Sequence, residues 1–144
     1  MNLTAWQVSC DGYSVLLAES ALVEYVAAPQ LFSLPGNEGL WSAVIDYNQK
    51  WLPVLCWSRR QEAAQEVKSL VVLQVSALAG DKPIHRQRIA VCVDAAPTKQ
   101  TFSDQQFTDD INQVPQLWRE ISLSCIEACG QTLPIINPTK LLTL

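Results

Sequence analysis

Short apolar runs separated by turn residues dominate the chain. Their β-branched and aromatic side chains favour strands, and runs this short and this numerous are typical of a sandwich or barrel. The eight runs cover residues 6–10, 13–17, 43–47, 51–57, 70–77, 88–94, 120–128 and 132–136. We therefore expect an all-β protein with a few short helices.

Three of the gaps between runs have the composition of hairpin turns. Asp11-Gly12, Asn48-Gln49-Lys50 and Cys129-Gly130-Gln131 each join two predicted strands. Asp-Gly is the strongest signal for a type I′ turn, and asparagine tolerates a left-handed backbone. We predict three hairpins, with residues 48–50 at an exposed tip.

Helical signals are few. Residues 19–25 predict about two turns, residues 61–68 are rich in helix formers, and Asn137-Pro138 resembles an N-cap followed by proline at the first helical position. The polar stretch 97–115 predicts a long surface connection.

The two halves of the chain contain a weak repeat. Leu40-Trp41 precedes a strand, a turn and the segment LPVL at 52–55, and Leu117-Trp118 precedes a strand, a turn and LPII at 133–136. The repeat predicts two similar β subdomains within one domain spanning residues 1–144, with a boundary near residues 60–70.

Charge and hydropathy exclude several classes of protein. The 144 residues have a formal net charge of −4, which argues against a nucleic-acid partner because neutralising phosphates requires a clustered basic face. The most apolar window, residues 70–79, is about half of the roughly 20 residues that a membrane-spanning helix needs. With no visible export signal, we expect a cytoplasmic protein.

Five cysteines in such a chain predict reduced thiols and no disulfide. Packed core thiols are the simplest interpretation, and a metal or redox role is the alternative. Cys125 and Cys129 are four residues apart, which favours one face of a helix or strand.

The residues that catalysis needs are sparse. His85, the one histidine, lies in a turn-rich stretch, and no phosphate-binding glycine motif occurs. Asp109-Asp110 is more simply a solvated acidic loop than a catalytic pair. We expect no enzyme, no cofactor and no metal site. The cluster Lys82, Arg86 and Arg88 is either a solvated face or a surface for an acidic partner.

Five tryptophans leave two interpretations open. Trp51 and Trp57 share a predicted strand and point to one face by its period of two. They form either barrel core or an exposed docking face with aromatic anchors.

The order of motifs along the chain is similar to that of the CheW family. The first half of that family's pattern has, in this order, a β-hairpin, a V-x-E-V/I segment, an L-P-N/G turn and a G-V-x-N-L-R-G-x-x-I-P-V-I-D-L stretch. Its second half has the motifs G-L-V-V-D and D-G-R-L-V-P-I-L-D. The matching segments are DGYSVLL at 11–17, LVEYV at 22–26, LPGN at 34–37, AVIDYNQKWLPVL at 43–55, IAVCVD at 89–94 and CGQTLPIIN at 129–137.

The resemblance implies a pair of small five-stranded SH3-like β-barrels. It also implies a non-catalytic adaptor that couples chemoreceptor cytoplasmic tips to the regulatory domain of a CheA-type histidine kinase, in a chemosensory or type IV pilus (twitching motility) array at the membrane. Other CheW-like domains are further implied partners. The partner-binding residues would be Glu24, Ala43, Val44, Asp46, Asn48 and Gln49.

Several positions depart from the family pattern. Asn48 and Gln49 replace the arginine and glycine of N-L-R-G, and Asp46, Ala43 and Cys56 replace an asparagine, a glycine and an aspartate. Arginine differs from asparagine by a full charge and a bidentate donor fork, so the partner surface is expected to differ and the adaptor to be divergent. The alternative function is a small β-barrel module that binds a ligand or an oligonucleotide.

Overall fold

The computed structural model describes residues 2–34, 39–57, 67–77 and 85–144, and the side chains of residues 77, 85 and 86 are left out. Within these ranges the chain forms twelve strands and one α-helix, α1 (Gln116–Ile121). The strands are β1 (Asn2–Cys10), β2 (Tyr13–Ala18), β3 (Leu22–Ala27), β4 (Phe32–Ser33), β5 (Ala43–Tyr47), β6 (Lys50–Leu55), β7 (Ser69–Ala77), β8 (His85–Val93), β9 (Thr98–Ser103), β10 (Phe107–Thr108), β11 (Ser122–Ala128) and β12 (Gln131–Ile136). Short 3₁₀ helices cover Glu19–Ala21, Asp104–Gln106 and Pro138–Thr143.

The strands form two six-stranded sheets with one topology. The first sheet has the order β10-β11-β12-β2-β1-β9, and the second, written from its β4 edge, has the order β4-β5-β6-β8-β7-β3. β12 runs parallel to β2, and β6 runs parallel to β8. The prediction of a mainly β protein built from two similar subdomains is confirmed. The sixth strand of each sheet, beyond the five expected, is the two-residue edge strand β4 or β10.

The chain changes sheet twice. β1 and β2 start the first sheet, β3 to β8 build the second sheet, and β9 to β12 complete the first. Of residues 60–70, near which we expected a boundary, 60–66 lie outside the described residues, and Ser69 and Leu70 begin β7. The weak sequence repeat falls on equivalent hairpins, because Pro53 of β6 lies opposite Val44 and Pro134 of β12 lies opposite Cys125.

The three predicted hairpins are confirmed. Each has a two-residue turn in which both residues have positive φ: Asp11 and Gly12 at 51° and 82°, Asn48 and Gln49 at 51° and 68°, and Cys129 and Gly130 at 51° and 75°. Positive φ at both central positions is the feature of the type I′ turn, whose twist matches that of the flanking strands.

Three local predictions were wrong. Residues 19–25 form one short 3₁₀ turn followed by β3, because the β-branched and aromatic side chains after Ala21 pair with β7. The polar stretch 97–115 contains β9, which pairs with β1, and the short β10. The run 120–128 begins inside α1, and its strand starts at Ser122. Most of the helix predicted at 61–68 lies outside the described residues.

The C-terminal prediction is confirmed in part. Asn137 caps the segment, since its side-chain Oδ1 accepts a hydrogen bond from the Thr139 backbone N–H at 3.2 Å. Pro138 follows at the first position, but the segment is a 3₁₀ helix. Leu141 from this segment is buried in the main core.

The main core lies between the two sheets. Val15 and Leu17 from the first sheet pack with Leu55, Leu73 and Ile89 from the second sheet, and all five are at most 3% exposed. Each sheet also encloses a smaller apolar cluster, one around Leu16 and Ile126 and the other around Val54 and Leu70. No helix of the described residues is long and apolar enough to cross a membrane.

Candidate functional site

Strand β5 points its predicted site residues in alternating directions. Ala43 and Ile45 are buried inside the second sheet's cluster, whereas Val44 is half-buried and Asp46 is exposed. The alternation follows from the strand period of two. Of these residues, Val44 and Asp46 face outward, and the fully buried Ala43 side chain is not accessible to a partner.

An exposed apolar patch surrounds Val44. Phe32 of β4 lies opposite Val44, which in turn lies opposite Pro53 of β6. Trp51, which is 64% exposed, packs edge to face on the Phe32 ring with the centroids 5.5 Å apart. We call these four residues, Phe32, Val44, Trp51 and Pro53, the β4–β6 face.

The turn between β5 and β6 lies beside this face. Asn48, Gln49 and Lys50 are all exposed, which confirms the predicted tip. Asp46 lies opposite Trp51 in the register and adds one carboxylate at the border of the apolar patch. Four of the predicted site residues, Val44, Asp46, Asn48 and Gln49, therefore lie close together.

Glu24 lies elsewhere, on β3 at the opposite edge of the second sheet. Its carboxylate accepts a hydrogen bond from the Tyr47 hydroxyl, and this bond raises the pKa of Tyr47 above its usual range. Partial burial and the Glu24 charge raise the pKa further, while Arg88 lowers it. β3 and β5 are separated by three strands in the sheet, so this contact shows how strongly the sheet curls.

Tyr47 and Arg88 are site residues that the sequence did not reveal. Because Asn48 stands where the family pattern has an arginine, position 48 offers Glu24 no cationic partner. Tyr47, one position earlier, makes the contact, and Arg88 of β8 supplies a nearby cation. Arg88 had appeared only as part of a basic cluster, of which Lys82 and the Arg86 side chain lie outside the described part of the chain.

The tryptophans divide between core and surface. Trp118 is 5% exposed, and its ring lies 4.7 Å from that of Trp57 and 6.1 Å from that of Tyr13. The Trp57 indole N–H donates to the Cys92 carbonyl at 2.8 Å. The two tryptophans do not share a strand, because β6 ends at Leu55. Trp57 packs against the core, whereas Trp51 is exposed, so a docking role stays a prediction for Trp51.

The thiols are mostly interior. Cys10, Cys56, Cys92 and Cys125 are buried, Cys129 is exposed in its turn, and all five are free. The Sγ atoms of Cys56 and Cys92 are 3.5 Å apart, and burial together with the Asp94 charge raises the pKa of Cys10. The described residues contain no group of three potential metal ligands.

The acidic pair is a turn element. The Asp110 Oδ1 atom accepts a hydrogen bond from the Asn112 backbone N–H at 3.1 Å, and Asp109 and Asp110 are both exposed. A carboxylate that closes a solvated turn is not placed in a cleft, as a catalytic acid would be. His85 begins β8, and its side chain lies outside the description.

Comparison with known proteins places this geometry in a family. The family model of the CheW-like domain matches residues 7–144. Among solved structures, the scaffolding protein TtCheW from Thermoanaerobacter tengcongensis is similar, with a TM-score of 0.71 and 12% identity over 100% of this chain and 94% of that chain. A comparison with curated proteins finds no match. The family match covers nearly the whole chain and agrees with the paired β subdomains, so the chain belongs to the CheW-like domain family.

Proposed function

We propose that this protein is a non-catalytic adaptor that binds the regulatory domain of a CheA-type histidine kinase and the cytoplasmic tip of a chemoreceptor. The observation that carries the proposal is the β4–β6 face, where an exposed tryptophan packs edge to face on an exposed phenylalanine beside an exposed turn. Aromatic anchors of this kind provide much of the energy of protein interfaces. Membership of the CheW-like family supports the same function.

The site also supports a divergent choice of partner. Asn48 supplies no cation at the position of the family arginine, and Glu24 is engaged by Tyr47. A receptor or kinase that depends on the family arginine would bind weakly to this surface. The protein therefore fits the role of an accessory adaptor, and we place that adaptor in a type IV pilus (twitching) array. Such an adaptor would act in the cytoplasm at membrane-associated receptors, with other CheW-like domains as further partners.

Calorimetry against a CheA-type regulatory domain, a receptor tip and a second CheW-like domain tests the proposal. We expect Trp51→Ala to weaken binding by tenfold or more, since central aromatic anchors contribute about 2 kcal/mol or more. Leu123→Ala is the matched control, because Leu123 is 66% exposed but lies on β11 of the other sheet. Absence of binding to all three partners, or equal losses in both variants, would contradict the adaptor function.

The variant Asn48→Arg tests the register of the family resemblance. It places a cation at the tip, and a charge-assisted bond to a desolvated partner group is worth about 1.5 to 3 kcal/mol. We expect tighter binding to a receptor tip, by tenfold or more where the contact is desolvated and by much less where it stays in water. Unchanged binding would show that position 48 does not contact the receptor, and weaker binding would show that a cation is unfavourable there; either result would contradict the register.

A further inference from the structure

Strands β6 and β8 separate at one end of the second sheet. β6 begins at Lys50 and β8 at His85, but their parallel pairing includes only Val54 with Ala90 and Leu55 with Val91. The separated ends enclose a groove of about 580 Å³. We call it the β6–β8 groove, and the residues that line it include Tyr47, Lys50, Trp51, Pro53 and Arg88.

The equivalent place in the first sheet provides an internal comparison. β12 and β2 also separate, with Ile135 and Leu16 as the one pair in the register, and the groove between them has about 210 Å³. There the Tyr13 hydroxyl donates to the Thr132 carbonyl at 3.1 Å and bridges the gap. None of the described residues that line this smaller groove is charged. Both sheets therefore have a pair of separated strands, but the β6–β8 groove is larger than its counterpart and is lined by charged residues.

The chemistry of the groove is cationic and aromatic. Lys50 and Arg88 contribute two positive charges, and the described lining residues include no carboxylate. Two carboxylates lie beside the groove. That of Glu24 accepts the Tyr47 hydroxyl, and that of Asp46, opposite Trp51 in the register, is exposed. Trp51 and Pro53 add apolar surface, and Trp51 is largely exposed.

The backbone of the groove is also available. Residues 50–53 of β6 pair with β5 on one side. On the other side, which faces β8, they have no strand partner among the described residues. An unpaired strand edge accepts an extended segment through backbone hydrogen bonds, while side-chain pockets select its sequence.

We propose that the β6–β8 groove binds an extended acidic segment of a partner protein. Carboxylates of the segment contact Lys50 and Arg88, and one aromatic or aliphatic side chain packs on Trp51. A peptide fits better than a nucleic acid, because two cations on a chain of net charge −4 neutralise few phosphates. The proposal goes beyond the adaptor function and does not depend on it.

Titration of the full chain with the capped pentapeptide EDFDE tests the proposal by calorimetry and by backbone amide NMR. We expect binding that weakens with added salt, with amide shifts concentrated on β6 and β8. Arg88→Gln and Lys50→Gln should each raise the dissociation constant about fivefold, in the range of partly screened charge pairs. Lys140→Gln removes the same charge from an exposed site outside the groove and should leave binding unchanged.

The proposal is overturned by no binding of EDFDE, by an equal loss in Lys140→Gln, or by tighter binding of a single-stranded oligothymidylate than of the peptide. The charge-reversed peptide KRFKR should not bind, and its binding at the same amides would also refute the assignment. Failure here leaves the calorimetry with kinase and receptor domains unaffected, so the two proposals are tested separately.

Discussion

The turn between β5 and β6 stores backbone strain that a single substitution should release. Gln49 has φ of +68°, a left-handed conformation that costs a residue with a Cβ about 1 to 2 kcal/mol. Replacing Gln49 by glycine removes this cost but makes the unfolded chain more flexible, which offsets about 0.4 to 1 kcal/mol. The strain term is the larger, so Gln49→Gly should stabilise the protein by about 0.5 to 1 kcal/mol.

The reciprocal change at another turn of the same type is the matched control. Gly12 has φ of +82°, and a Cβ added there meets no atom within 4 Å. The cost of Gly12→Ala therefore comes from backbone conformation without a steric clash. The same two terms with opposite signs predict a loss of about 0.5 to 1 kcal/mol.

Urea unfolding followed by circular dichroism measures both variants against the natural chain. We expect opposite shifts of the midpoint with an unchanged slope, and a rise of about 2 to 4 °C in melting temperature for Gln49→Gly. A less stable Gln49→Gly would show that the side chain contributes more than its backbone strain costs. A neutral Gly12→Ala would refute the strain argument itself.

Three further predictions concern the core, a titration and the thiols. Leu55 is fully buried between the sheets, so Leu55→Ala should lower the free energy of unfolding, measured in urea, by about 2 to 5 kcal/mol. The exposed control Leu123→Ala should change it by less than about 0.5 kcal/mol. A small loss in Leu55→Ala would contradict the shared core. Glu24→Gln should move the absorbance titration of Tyr47 to lower pH. At pH values below the usual pKa of tyrosine, the hydrogen bond to Glu24 stabilises the folded protein, and this stabilisation is lost as the pH rises through the raised pKa of Tyr47. An unchanged titration would refute the contact. A thiol reagent should label Cys129 alone in the native chain and all five cysteines after unfolding, and labelling that persists in Cys129→Ser would show that a buried thiol is accessible.

Local patterns predicted the features that neighbouring residues govern. The hairpin at Asp11-Gly12 and the strand at 43–47 were predicted with their observed bounds, because turn conformation and side-chain alternation depend on residues only a few positions apart. The order of motifs also indicated the family, since it depends on the chain sequence and not on contacts.

Two edge strands, β3 and β9, were missed because their local patterns do not identify them as strands. β9 is mostly exposed and polar, with Phe102 as its one buried side chain, so its alternation is too weak to distinguish it from a loop. β3 contains Leu22 and Glu24, which also favour helices, and it becomes a strand because β7 provides a partner. Pairing over such distances depends on which surfaces meet after the sheet has formed.

The candidate sites depend on contacts between distant parts of the chain. Glu24, Tyr47 and Arg88 come from three strands, and the β6–β8 groove exists because two parallel strands pair over two positions and then separate. The period of two predicted that Trp51 and Trp57 share one face of a strand, but β6 ends at Leu55, and Trp57 lies beyond it and packs against the core. Burial is a property of the packed sheets, and strand separation is a property of their twist and curvature, so neither is encoded in the spacing of residues along one segment.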